Sequence, residues 1–113
     1  MTIKNLVDMD DFQKLDLRVG VVLEAQAVPK SKKLLQLKVD LGFETRTIVS
    51  GISQFYAPES LVGQKVIVVA NLEPRTIRGI TSQGMLLAAE APDGRVTLLT
   101  LDNPDLPEGS KIH

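Results

Sequence analysis

The sequence contains no cysteine and no tryptophan, and its one histidine, His113, is the last residue. Without thiols there is no disulfide, no thiolate nucleophile and no Cys-ligated zinc, iron–sulfur or haem centre. With imidazole only at a chain end, neither a Ser–His–Asp set nor a histidine-based metal site can be assembled. No apolar run exceeds five residues, as in Val66–Ala70, far short of the roughly twenty that a membrane-spanning helix needs. The opening Met1-Thr2-Ile3-Lys4-Asn5-Leu6 lacks the apolar core of a secretory signal, so the expected compartment is the cytoplasm. The glycines do not form the G-x-x-x-x-G-K-[ST] loop that cradles nucleotide phosphates. Aromatic residues are scarce as well: Phe12, Phe43, Phe55 and Tyr56 make up 4% of the chain.

What is present suits a globular binder. A chain of 113 residues with 43% hydrophobic and 24% charged side chains is expected to fold as one domain over residues 1–113. The net charge of -1 hides an asymmetry. Residues 25–80 carry eight basic side chains against four acidic ones, while residues 1–24 and 81–113 are both net acidic. A polyanion responds to the local field, because charges beyond about 8–10 Å are screened at physiological salt. The basic middle can therefore meet phosphate, and the acidic ends can hold the rest of the surface away from it.

Hydrophobic alternation supplies the framework. Asp10 or Asp11 is expected to cap a helical turn through Phe12 and Leu15. Leu17, Val19, Val21, Leu23, Ala25 and Ala27 then alternate with more polar positions, as in a half-buried strand whose Gly20 marks a bulge or bend. Pro29 breaks this run before the polar loop Lys30-Ser31-Lys32-Lys33, and Leu35, Leu37, Val39 and Leu41 mark a second strand. A third strand spans 45–52, a short helical crossover 54–61, and buried strands 65–70 and 85–89. Pro92-Asp93-Gly94 turns the last of these into Val96–Leu99, and a Pro-rich tail follows. The expected fold is all-β: a five-stranded OB-fold, that is, a Greek-key barrel with short helices and a C-terminal extension. Pattern alone leaves an SH3-like barrel or an open sandwich as alternatives.

Candidate chemistry is sparse. Asp10–Asp11 and Glu90/Asp93 are paired carboxylates that could serve acid–base or magnesium chemistry, but helix capping and turn formation account for both. The binding candidates are two basic clusters: Lys30, Lys32 and Lys33 between the first two strands, and Arg75 and Arg78 between the two buried strands. In an OB-fold the first of these loops rims the binding face. Stacking platforms for splayed bases are normally aromatic rings on the sheet face; here Phe12 and Phe55 are expected to anchor the core. Basic loops with few rings favour reading the backbone of a folded RNA over binding a single strand.

Several motifs occur together in order. The stretch Asp11-Phe12-Gln13-Lys14-Leu15-Asp16-Leu17-Arg18-Val19-Gly20 is followed by Ile48-Val49-Ser50-Gly51-Ile52 and Tyr56-Ala57-Pro58-Glu59-Ser60-Leu61-Val62-Gly63. Then come Val69-Ala70-Asn71-Leu72-Glu73-Pro74-Arg75 and Gly79-Ile80-Thr81-Ser82-Gln83-Gly84-Met85. Over residues 10–112 the chain resembles the tRNA-binding OB-fold domain family. That family includes free-standing bacterial tRNA-binding proteins, the C-terminal domain of methionyl-tRNA synthetases, and the synthetase's separate beta chain. The resemblance implies a homodimer that binds tRNA by the shape of its L and not its sequence. It also implies no catalysis, no metal or other cofactor, and methionyl-tRNA synthetase as a possible partner.

Carried over to this chain, the resemblance assigns Lys30, Lys32 and Lys33 to the basic first loop, with Lys32 and Lys33 on phosphates. Ser31 departs from relatives that carry an acidic residue or alanine there. Asn71 and Arg75 fall in N-L-x-P-[RK], as ribose or phosphate ligands. Ser82 and Met85, in S-x-G-M, would line the same surface; Arg78 adds a cation. Arg46 is a weaker member, because pairing with Asp40 or Glu44 would equally explain it. A turn role for Asn71 and a core role for Met85 are the structural alternatives. Another branch built on this barrel consists of peptide-binding export chaperones of the CsaA type. There the segment after the third strand differs, whereas Ser50-Gly51-Ile52 and Ser82-Gln83-Gly84-Met85 match the tRNA branch.

Overall fold

The computed structural model describes residues 2–113. Its first element is capped by Asp8 rather than by Asp10 or Asp11: the Asp8 carboxylate accepts a 2.8 Å bond from the Asp11 amide and opens helix α1, Met9–Gln13. Asp10 and Asp11 instead occupy the first turn, where their charge complements the exposed amides. Phe12 and Leu15 stay partly exposed.

Five strands build the barrel wall: β1 (Leu17–Ala27), β2 (Leu35–Asp40), β3 (Thr45–Ser50), β4 (Lys65–Val69) and, beyond the short strands β5 (Arg75–Ile77) and β6 (Ile80–Ser82), β7 (Met85–Leu86). Helix α2, Pro58–Leu61, crosses between β3 and β4. The antiparallel order is β3-β2-β1-β4-β7. The two ends of the wall are bridged where the Gln83 amide donates to Thr47 O at 2.8 Å and the Val49 amide to Ser82 Oγ at 2.9 Å. This nearly closed, OB-fold-like barrel surrounds a core of Val22, Leu35, Leu37, Val39, Leu41, Ile48, Leu61, Val66, Val68 and Leu86, with others. The inward alternation of β2 is obeyed in full, with Leu35, Leu37, Val39 and Leu41 all completely buried.

In β1 the expected faces are exchanged. Gly20 and Val22 face the barrel interior; a Cβ on Gly20 would come within 2.5 Å of Val39 Cγ1, so close packing rather than a bulge explains this glycine. The bulge lies at Leu23, between the Val22 and Glu24 pairings, and it turns Leu23 out to solvent and Ala25 back toward the core. Leu17 and Val19 are buried on the other face, beside their cross-strand partners Val69 and Ile67. There the tail runs against β1 and β4. Gly109 donates to Val19 O at 2.8 Å, Thr100 Oγ1 to Lys65 O at 2.8 Å, and Lys65 Nζ to Leu106 O at 2.9 Å. The tail ends as β10, Lys111–Ile112, paired with β1.

Other expectations are corrected as well. The stretch 85–89 is not one buried strand: after β7 it breaks and resumes as the exposed β8, Ala88–Glu90. This hairpins into β9, Val96–Leu98, through the expected Pro92-Asp93-Gly94 turn. Phe12 and Phe55 lie outside the core at about 40% exposure each.

Candidate nucleic-acid interface

The loop between β1 and β2 is held by its own small polar residue. Ser31 Oγ accepts from the amides of Lys33 (3.3 Å) and Leu34 (3.2 Å), and the Ser31 amide donates to Val28 O at 3.1 Å. The Ser53 amide donates to Lys33 O at 3.0 Å and ties the loop to the chain leaving β3. The ammonium groups of Lys30, Lys32 and Lys33 project from an anchored backbone, which lowers the ordering cost of meeting a ligand.

Arg75 and Arg78 lie on a hairpin rather than in a loop. Strand β5, Arg75–Ile77, pairs with β6, Ile80–Ser82, as a separate two-stranded ribbon. Its two-residue turn has Arg78 at φ 53° and Gly79 at φ 79°, the positive angles a tight hairpin turn demands. The only non-glycine residues with positive φ among the described residues are Arg78 and Lys30, the latter at φ 63°. Both are cations at the tips of the two candidate elements.

Ion pairing separates structural cations from available ones. Among the described residues, six of the thirteen basic side chains pair with carboxylates: Lys14, Arg18, Lys38, Arg46, Lys65 and Arg95. Five of the other seven are Lys30, Lys32, Lys33, Arg75 and Arg78, so the unpaired charge is concentrated on the loop and the hairpin. Strand β3 runs between them: Val49 lines a cleft beside the hairpin, and Ser53 holds the lysine loop.

Three of the remaining candidates, Arg46, Asn71 and Ser82, make hydrogen bonds within the protein. Arg46 binds Glu44 through Nη2 at 2.6 Å and reaches the carbonyls of Ala70 and Gln83 through Nη1, tying β3 to the chain after β4 and to the segment before β7. Asp40 is not its partner; that carboxylate accepts from the Gly42 amide. Asn71 accepts from the Asp16 amide at 2.7 Å and donates to Lys14 O at 2.6 Å, pinning the chain between α1 and β1. Ser82 is 5% exposed; its hydroxyl accepts from Val49 and donates to Gly84 O. Met85 is not core but 47% exposed. It shares the cleft with Val49, Leu72, Glu73, Arg75 and Ile77. Leu72 and Glu73 are cleft residues that sequence patterning did not single out; their signal is adjacency to Asn71 and Arg75.

A larger groove of about 650 Å³ lies elsewhere, with Met9, Phe12, Leu15, Leu17 and Ile112 as its apolar lining and Gln13, Lys14, Lys111 and His113 among its polar lining. Asp16 and Arg18 also border it. The Arg18 guanidinium binds Asp16 at 2.6 Å, which holds the Asp16 carboxyl below its ordinary range and raises the pKa of Arg18. That guanidinium lies 5.4 Å from the centroid of the Phe43 ring. In the segment that precedes α1, Ile3, Leu6 and Val7 are each more than 70% exposed.

Residues 17–111 match the family model described as "Putative tRNA binding domain". The methionine–tRNA ligase of Methanocaldococcus jannaschii is 57% identical over 106 residues, covering 94% of this chain and 16% of that protein. The chain therefore spans about one-sixth of such a relative's length. The crystal structure of a MetRS-related protein from Pyrococcus horikoshii superimposes with a TM-score of 0.92 at 43% identity, covering 97% of this chain and all of the other. The chaperone CsaA of Bacillus anthracis superimposes with a TM-score of 0.87 at 32% identity, covering 96% of this chain and all of the other.

Proposed function

The chain belongs to the tRNA-binding domain family of OB-fold barrels, and from that premise we propose that it binds tRNA by its folded shape, without catalysing a reaction. The observation that carries this reading is the concentration of five unpaired cations, Lys30, Lys32, Lys33, Arg75 and Arg78, on two elements beside the barrel. Cations carried on an anchored loop and hairpin meet phosphates on a folded backbone, and phosphate contacts carry no sequence information of their own. Arg46, Asn71 and Ser82 serve the site by holding β3, the β4 exit and the hairpin in place. We propose further that residues 1–113 act as one domain in the cytoplasm, free or attached to methionyl-tRNA synthetase, where linkage would raise the enzyme's effective affinity for tRNA.

A second copy of the chain is proposed to cover the apolar groove beside α1 and β10. Ile3, Leu6, Val7 and Met9 are large apolar side chains left exposed, and the groove lined by Met9, Phe12, Leu15 and Ile112 would supply a two-fold contact. Two copies would present two cationic surfaces to one tRNA. Lys33→Ala tests the binding reading. It should weaken several unrelated tRNAs alike by about fivefold, the worth of one phosphate contact near physiological salt; a loss confined to one tRNA would contradict shape reading.

The likeness to chaperone CsaA supports a second reading, capture of unfolded peptide. Suppression of client aggregation at stoichiometric protein, with no tRNA gel shift, would replace the first reading by this one.

A further inference from the structure

Phosphate contacts leave the cleft beside the hairpin unexplained. It is lined by Val49, Leu72, Ile77 and Met85, with Leu72 41% and Met85 47% exposed. The polar members divide sharply. The hydroxyl of Ser82 is already bonded to Val49 and Gly84, while Arg75 and Glu73 have no ion-pair partner among the described residues. An exposed thioether and leucine offer nothing to a phosphate, and a free carboxylate repels one. The same groups suit a flat heterocycle with an amino group, whose face lies on apolar atoms and whose N–H donates to carboxylate. At about 90 Å³ the cleft is well below a small-molecule site, so its ligand is a group presented by something docked outside.

We infer that this cleft receives one unpaired, amine-bearing nucleobase of the bound RNA. Leu72 and Met85 contact its face, Glu73 accepts from its amine, and Arg75 takes a neighbouring phosphate. The inference rests on the tRNA-binding reading and deepens it. Every tRNA has unpaired bases in its loops and at its 3′ end, so one such contact is compatible with sequence-blind binding.

Glu73→Ala separates the two pictures by sign. If the cleft meets only phosphates, removing the carboxylate removes repulsion and tightens tRNA binding. If it holds an amine, binding weakens by about tenfold, the worth of a hydrogen bond to a charged group. The slope of log K against log salt then stays unchanged, because no phosphate contact is lost. Modification by dimethyl sulfate, which reports the Watson–Crick edges of adenine and cytosine, and by kethoxal, which reports that of guanine, gives an independent readout. Wild-type protein should protect one unpaired base that Glu73→Ala leaves reactive, with the variant's melting temperature unchanged. Binding as tight as wild type, or no base protected, overturns the inference while leaving the tRNA reading intact. Failure of the wild-type protein to bind tRNA overturns both.

Discussion

Arg78→Asn should make the protein more stable and a poorer RNA binder. Arg78 sits at φ 53° before Gly79 at φ 79°, closing the two-residue turn from Ile77 to Ile80. A left-handed backbone costs a residue with a Cβ roughly 1–2 kcal/mol, and asparagine tolerates it far better, so that Asn-Gly is a preferred pair for this turn. The substitution should therefore gain up to about 1 kcal/mol, because nothing in the ion-pair set holds the arginine side chain. For a domain of this size such a gain raises Tm by roughly 3–5 °C. The same change deletes one of five proposed phosphate contacts. The slope of log K against log salt should shrink by about 0.9, and the affinity near 0.15 M salt should fall about fivefold. Calorimetric melts and fluorescence titrations with one tRNA at four salt concentrations read both effects. Opposite movement of stability and affinity is the signature of strain retained for function. An unchanged affinity would refute a role for Arg78 in RNA contact, and a fall in Tm would refute the strain argument.

Asn71→Ala should cost about 1 kcal/mol by removing two solvent-accessible hydrogen bonds, with Asp16 N and Lys14 O, that water replaces only in part, with the salt slope of tRNA binding unchanged; urea unfolding checks this, and intact stability with a lost phosphate contact would reverse its role. Asp16 binds protons less readily in the folded protein than in the unfolded chain, because Arg18 bonds its carboxylate. That stabilisation is present above about pH 4 and is lost as pH falls through the lowered native value. Asp16→Asn should thus flatten the acid limb of a stability–pH curve measured by urea midpoints, and an identical limb would exclude this pair as its source. Sedimentation velocity should find a dimer that Phe12→Glu converts to a folded monomer, since Phe12 lines the apolar groove; a wild-type monomer that binds tRNA as tightly would contradict the two-copy arrangement.

The barrel was legible in the sequence where alternation is one-sided, as in β2, because a residue period of two maps directly onto inside and outside. It misled in β1. The tail buries the second face of Leu17 and Val19, so both faces read as apolar, and the bulge at Leu23 then changes the phase. No local pattern reports either event, since both depend on segments far along the chain. The site divides in the same way. Lysines and arginines at exposed tips can be recognised from charge clustering, and the structure leaves those five unpaired. Asn71, Ser82 and Arg46 also belong to recognisable motifs, but each bonds backbone groups at least 24 residues away. A motif marks that a residue is needed without separating a ligand contact from a brace. The helix cap shows the limit at short range: Asp8, Asp10 and Asp11 are equivalent candidates by type, and only the bond to the Asp11 amide selects Asp8.

The most direct test is the salt dependence of binding for a folded tRNA and a single-stranded oligonucleotide of equal length. Five phosphate contacts should give the tRNA a slope of log K against log salt of about -4 to -5, with clearly weaker binding of the single strand at every salt concentration. A slope near zero, or equal affinity for the two, would contradict shape-selective binding by the cationic loop and hairpin.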